Sequence, residues 1–164
     1  MTKKSSPTSD QPTVSLFEIA DNASKAILLR NIDLKIKSSI NTLVKSYAHI
    51  GFLLSEINEK ELYLINNNTS IYEFAKEQYD LAPTTVKNVM AVANKFFTYG
   101  GLGTYSPVEI KKEFEGFGFS QMVELLAVPE EEIKKYTPSM SVRKIRQLRA
   151  LSNTDEAIKK LIST

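Results

Sequence analysis

From residue 33 to residue 60, apolar side chains recur at steps of three and four: Ile36, Ile40, Leu43, Val44, Tyr47, Ile50, Leu54 and Ile57. Steps of that size lay one stripe along a helix. Lys35, Lys37, Asn41, Lys45, Glu56 and Glu59 fall largely outside the stripe. The spacing therefore predicts a long amphipathic helix with Asp33 as its N-cap. Gly51 interrupts it at a cost of about 1 kcal/mol relative to Ala, and close packing on another helix is the reason expected. His49, the single histidine, lies off the stripe and reads as a surface residue. Upstream, Leu16, Phe17, Ile19, Ala20 and the run Ala26, Ile27, Leu28, Leu29 predict one or two short helices within 14–31. These would dock on the long helix or serve dimerisation. Residues 1–13, MTKKSSPTSDQPT, hold almost nothing to bury and are expected to form a disordered tail.

Beyond the long helix, Glu61 to Asn68 (ELYLINNN) closes in an Asn run that signals a turn. Leu62, Tyr63, Leu64 and Ile65 are expected to pack beneath the neighbouring stretch, Thr69 to Phe97, TSIYEFAKEQYDLAPTTVKNVMAVANKFF. Thr69 or Ser70 caps a first helix there, whose inward face is Ile71, Phe74 and Ala75. Tyr79, Asp80 and Leu81 make a tight turn. Asp tolerates the left-handed backbone such a turn needs better than most residues do. Ala82 and Pro83 open a second helix, with Pro in the first turn where its missing N–H costs nothing. Val86, Val89, Met90 and Ala93 share one side of it. Thr84, Lys87, Asn88, Ala91 and Lys95 share the other, and no acid occurs between Leu81 and Tyr99. This is the pattern of a helix-turn-helix whose second helix enters a DNA major groove.

The stretch Thr98 to Ser106 (TYGGLGTYS) holds three of the six glycines and marks the internal boundary, dividing 14–100 from a helical subdomain at 101–164. Ser106 and Pro107 read as cap and first residue of a helix, SPVEIKKEFEGF. Phe114, Phe117 and Phe119 crowd one corner, as core or, alternatively, as base-stacking residues of a single-strand binder. Ser120 to Val128 and Pro129 to Tyr136 predict two short helices. Ser141 caps a further helix in which Val142, Ile145, Leu148 and, at its end, Leu151 are expected to face inward. Arg143, Lys144, Arg146 and Arg149 supply four positive charges to that helix without an acid. Asn153 or Thr154 caps a last helix. No long strand is indicated, so the fold class is all-α: a multi-helix domain with a central helix-turn-helix and a long amphipathic N-terminal helix.

Composition removes several function classes. There is no cysteine, which excludes disulfides and thiolate metal sites. One histidine does not make a His-based triad or a multi-His metal site. The carboxylates at Glu56, Glu59, Glu61 and Glu130 to Glu132 sit on helix faces or first turns, where solvated acids are ordinary. TYGGLG lacks the Lys-Ser/Thr ending of a phosphate loop. No enzyme, cofactor or metal is expected. No apolar run approaches the roughly 20 residues of a membrane span, and a cytoplasmic location is expected. The net charge of +2 says little alone; its distribution matters more. Phosphates would be met by lysines and arginines, which supply affinity without sequence preference. Asn88 suits bidentate pairing with adenine, Thr84 or Thr85 a thymine methyl or a phosphate, and Lys87 guanine or a phosphate.

Two separated stretches also carry a family resemblance. SIYEFAKEQYDLAPTTVKNVMAVANKF resembles the helix-turn-helix of the ParB-type partition proteins, a group that includes the KorB and Noc-like DNA binders. FSQMVELLAVPEEEIKKYTPSMSVRKIRQL is similar to the helical segment that follows it there, with Leu125–Leu126, Val128–Pro129–Glu130 and Ser141–Val142–Arg143 in the matching places. The chain is also similar to small helical proteins of Gram-positive plasmids and integrative elements, through Tyr47 to Leu54 and Tyr72 to Ala75. The resemblance covers roughly 40–151. It implies a dimeric, sequence-specific binder of double-stranded DNA, with Thr84, Thr85, Lys87 and Asn88 at the groove and Arg143 and Arg146 near the backbone. The family's nucleotide-binding region, with its arginine-rich phosphate motif, has no counterpart here, so the resemblance does not extend to nucleotide hydrolysis. Its C-terminal dimerisation domain is likewise unmatched, which leaves the helices at 14–60 or the last helix to form a dimer.

The expected function is that of a DNA-binding protein of a mobile element, serving plasmid maintenance, transfer or transcriptional regulation. The expected DNA contacts are Thr84, Thr85, Lys87, Asn88, Lys95, Arg143, Lys144, Arg146 and Arg149. The expected partners are double-stranded DNA and a second copy of the chain, with a protein of the same element as a further candidate. The alternative is a helical protein-interaction module, or an inhibitor, meeting an acidic partner through its basic helices.

Overall fold

The computed structural model describes residues 16–101 and 108–162, with the backbone alone at 16–20 and 156–162. The expected tail at 1–13 and the Ser106–Pro107 cap lie outside the described residues. The fold is all-α, with one two-stranded ladder among the described residues. The chain divides into two units, Met1–Ser38 and Ser39–Thr164.

Helix α1 runs unbroken from Leu16 to Glu59. The expected break before residue 33 does not occur. Asp33 is not a cap: its Oδ2 accepts a hydrogen bond from Lys37 Nζ at 2.6 Å, a pairing made within a helix one turn on. Asp21 and Lys25 pair the same way at 2.6 Å. With no proline or glycine between residues 16 and 50, nothing in the backbone stops the helix. The predicted stripe is buried only in part. Val44 and Leu54 are buried and Tyr47 and Ile57 half-buried, whereas Ile36, Ile40, Leu43 and Ile50 are exposed.

Glu61, in the left-handed region at φ 51, ends the helix, and a 3-10 turn follows at Leu62–Asn66. Of the four apolar residues expected to pack here, only Tyr63 joins the core; Leu62, Leu64 and Ile65 are exposed. A 3-10 turn aligns residues three apart and cannot bury four successive side chains.

Helix α2 (Ile71–Tyr79) and helix α3 (Pro83–Phe96) come next. Ile71 and Ala75 of α2, Val86 and Val89 of α3 and Leu54 of α1 form one apolar cluster. A larger cluster takes Val44 and Ala48 of α1, then Val92, Ala93 and Phe96 of α3. It continues into Phe114, Phe117, Met122, Leu125 and Ile145. Residues on both sides of position 100 thus share one core.

Strand β1 (Phe97–Thr98) pairs antiparallel with β2 (Glu109–Ile110), Phe97 opposite Ile110. The helix expected over 106–117 is absent from its described part. The ladder holds residues 109–110 extended, and the Lys111 N–H donates to the Phe96 carbonyl at 2.9 Å. One 3-10 turn, Lys112–Phe114, follows before Gly116 turns the chain at φ 86. Three helices complete the chain: α4 (Phe119–Leu125), α5 (Glu130–Ile133) and α6 (Val142–Ile162). The separate last helix does not exist. Thr154, an expected cap, donates its hydroxyl to the Ala150 carbonyl at 2.9 Å, one turn back in the same helix.

Candidate nucleic-acid interface

Local chemistry builds the α2–turn–α3 unit. At its start, the Ser70 hydroxyl accepts the Glu73 N–H at 3.2 Å. The Glu73 carboxylate accepts from the Thr69 N–H at 2.6 Å and the Thr69 hydroxyl at 2.7 Å, which keeps it ionised below the usual carboxylate range. The Glu73 N–H, one of the unpaired donors at the helix start, is thereby satisfied, and the chain entering the helix is tied down at Thr69. At its end, Asp80 takes the left-handed conformation at φ 55 and sends its N–H back to the Lys76 carbonyl at 3.0 Å. Its carboxylate pairs with Lys76 Nζ, which lowers its pKa. Leu81 closes the turn with an N–H to the Ala75 carbonyl at 3.2 Å and a half-buried side chain against the first cluster. Pro83 is the first residue of α3, and Ala82 before it is extended, as a residue preceding proline must be.

Helix α3 is fixed by its buried side. Val86, Val92, Ala93 and Phe96 are wholly inaccessible to solvent. Gly51 of α1 lies directly beneath it: a Cβ there would meet the Val89 carbonyl oxygen at 2.1 Å. The expectation of close packing at Gly51 is met. On the other side Thr84 and Lys87 are exposed and Asn88 and Ala91 half-exposed. By helical spacing these four share one face. Thr85 is half-buried and lies a quarter turn away.

Lys95 continues the face in sequence but not in chemistry. Its ammonium donates to the carbonyls of Leu125, Leu126 and Val128 at 3.1, 3.2 and 3.0 Å. It satisfies the end of α4, where carbonyls lack helical partners. Burial lowers its pKa, against the opposing pull of Glu130. Lys111 treats α3 alike, donating to the Lys95 carbonyl at 2.7 Å. Lys95 is a structural cap in this arrangement, and its three donors are spent.

Helix α6 is seated by Ile145, which is fully buried, and capped by Ser141, whose hydroxyl accepts the Lys144 N–H at 3.2 Å. Arg143 and Lys144 are exposed in its first turn. Arg146 and Arg149 converge on Glu124 of α4. Arg146 donates from Nε at 3.1 Å and from a second nitrogen to Oε1. Arg149 reaches Oε2 at 2.9 Å and the Glu124 carbonyl at 3.0 Å. The Arg146 hydrogen bonds are the main reason the Glu124 carboxyl is held below its ordinary pKa; burial pushes the other way. Glu124 thus offsets charge on a helix that carries no acid in its own first half. A lone acid inside the apolar run SQMVELLAV is the sequence signal for it.

Phe114 and Phe117 are buried and Phe119 lies against the Tyr47 ring at 4.8 Å between centroids. Buried rings cannot stack on bases, which removes Phe114 and Phe117 as stacking residues. Among the described residues no group of three or more His, Asp or Glu side chains is placed to hold a metal ion. No helix among them is long and apolar enough to cross a membrane. Comparison with protein-family models, characterised proteins and solved structures finds no match to this chain.

Proposed function

We propose that this chain is a sequence-specific double-stranded DNA-binding protein, cytoplasmic and non-enzymatic, whose helix α3 enters the major groove. The observation that carries the reading is the outward face of α3, where Thr84, Lys87 and Asn88 stand together, free of acids, on a helix locked from behind by Gly51 and Val89. A rigid helix is the best platform for reading base edges, since little ordering remains to be done on binding. Asn88 would take adenine, Lys87 guanine or a phosphate, and Thr84 a thymine methyl. Arg143 and Lys144 would supply backbone contacts, with Arg146 contributing its outer edge. Lys95 is left out because its ammonium already serves α4, and Arg149 because Glu124 holds its Nη1. The resemblance to ParB-type partition proteins supports service to a mobile element, in maintenance, transfer or transcription.

Selection of bound duplexes from a random library tests the reading. An enriched motif that is lost with Lys87→Ala plus Asn88→Ala is expected; no enrichment, or enrichment indifferent to both changes, would sink it. The exposed aliphatic side chains of α1 favour a second reading, a protein-interaction module. Salt-dependent binding with no base preference, together with a stable complex with another protein, would decide for that one.

A further inference from the structure

We propose that a cleft between the turn at 112–117 and helix α5 binds a small organic monocation, an ammonium group carried on an aromatic or aliphatic body. The cleft measures about 420 Å³, within the roughly 300–1,000 Å³ of small-molecule sites. Phe114, Phe117, Ile133 and Tyr136 line its apolar part, each between 4% and 6% exposed. Side chains set so deep leave too little surface to stack on a base, yet together they floor the cleft for one small apolar body. Both walls are held by backbone hydrogen bonds. The Phe117 N–H donates to the Phe114 carbonyl at 3.3 Å on one side, and the Tyr136 N–H to the Ile133 carbonyl at 2.9 Å on the other. A Cβ on Gly116 would come 3.3 Å from the Pro138 ring, so the two segments also touch beyond Tyr136. A site already in shape loses little of its binding energy to ordering.

The rim selects the sign of the ligand. Glu113 stands on it from the first wall and Glu130 and Lys134 from the second, all exposed. Neither Glu113 nor Glu130 accepts a hydrogen bond or closes an ion pair among the described residues, whereas Glu132 of the same helix is held by Lys135 and Ser152. Glu130 also acts as a charge on Lys95. Two carboxylates against one ammonium leave the rim negative. An anion would meet two like charges there, and a dication would meet Lys134. A single positive head at the carboxylates, with its apolar body on the floor, matches both parts of the cleft. A peptide would need a groove that continues past these two short segments, and the lining is confined to them. The inference stands apart from DNA binding and holds or fails without it.

The test is titration of the full chain, followed through its amide chemical shifts, with phenethylamine, phenethyl alcohol, hydrocinnamate and methylamine as probes. Phenethylamine is expected to bind saturably, with shifts centred on residues 113–117 and 130–136, and more tightly than the neutral alcohol. Hydrocinnamate has the wrong charge and methylamine has no apolar body, so neither should give a saturable change. Glu113→Gln and Glu130→Gln alter exposed side chains and should leave the urea midpoint near that of the parent. Each should weaken phenethylamine roughly two- to fivefold, as loss of an exposed ion pair does, and Lys134→Gln should tighten it. Added salt should weaken it too. Absence of saturable phenethylamine binding overturns the proposal. So does binding of hydrocinnamate or methylamine as tight as that of phenethylamine, and so do shifts centred elsewhere on the chain. An affinity indifferent to the loss of both carboxylates overturns it as well.

Discussion

A Cβ on Gly51 would lie 2.1 Å from the Val89 carbonyl oxygen and 2.8 Å from the Ala93 side chain. The contact is with backbone, so no rotamer change relieves it; α1 and α3 must separate. Gly51→Ala gains about 1 kcal/mol in helix propensity, but forced separation of packed elements costs about 1–3 kcal/mol and sometimes more. A lower urea midpoint is expected. Because the same contact backs the outward face of α3, weaker DNA binding should accompany it even where the protein remains folded. An unchanged or raised midpoint would show that the helices are free to move apart.

Lys95 separates a structural cation from a DNA contact. Lys95→Met keeps the stem and removes the ammonium, leaving the carbonyls of Leu125, Leu126 and Val128 without that donor. Loss of such partners costs about 1–3 kcal/mol. The slope of DNA affinity against salt should not change, since no phosphate contact is lost. A slope reduced by about one, with stability intact, would instead make Lys95 a phosphate ligand.

The features legible in the sequence are local ones. Ser70, Asp80 and Pro83 each fix the chain within a few residues of themselves, and α2, the turn and α3 fall where those residues place them. Gly51 is equally legible, because a glycine in a stripe needs a neighbour to explain it. The misreadings of residues 108–111, Lys95 and Arg149 concern partners farther along the chain, whereas that of Asp33 is local. Asp33 has the chemistry of a cap and of an in-helix ion pair, and only Lys37 in place decides between them. Residues 108–111 carry a helical pattern, yet backbone pairing with Phe96 and Phe97 holds them extended. The donors of Lys95 are spent on carbonyls 30 to 33 residues away, and Arg149 Nη1 is held by Glu124, 25 residues away. Charge on a helix face is visible in sequence; whether a distant group has already claimed it is not.

Glu124 ties stability to acid. Its carboxyl titrates below its ordinary 4.5 in the folded chain, chiefly through the Arg146 hydrogen bonds, whereas the unfolded chain titrates near that ordinary value. The unfolded state therefore binds the proton first as pH falls, and stability drops. The contribution is complete above pH 4.5 and is lost as pH descends through the folded value. Glu124→Gln should lower the urea midpoint at neutral pH and flatten its decline below that point. A decline as steep as that of the parent chain would assign acid sensitivity to other carboxylates, with Asp80 and Glu73 the next to test.

Lys87 and Asn88 are neighbours on α3 but are expected to fail differently. An Asn that reads adenine does so with both its amide donor and its carbonyl, a pairing worth about 1–3 kcal/mol against the wrong base. Asn88→Ala should therefore flatten preference at one position of the selected motif, leaving the others and the salt slope as they were. Lys87 carries a charge, so in the proposed complex its loss would remove either a phosphate contact or a guanine contact, and the two are distinguishable. Lys87→Ala that weakens all duplexes alike and reduces the salt slope by about one marks a phosphate contact. Lys87→Ala that relaxes a single guanine position marks a base contact. Both side chains lie on the solvent side of a helix whose opposite face is buried, so the unfolding free energy from urea titration should stay within about 0.5 kcal/mol of the parent. Unaltered binding by the double variant would mean that α3 does not face the DNA.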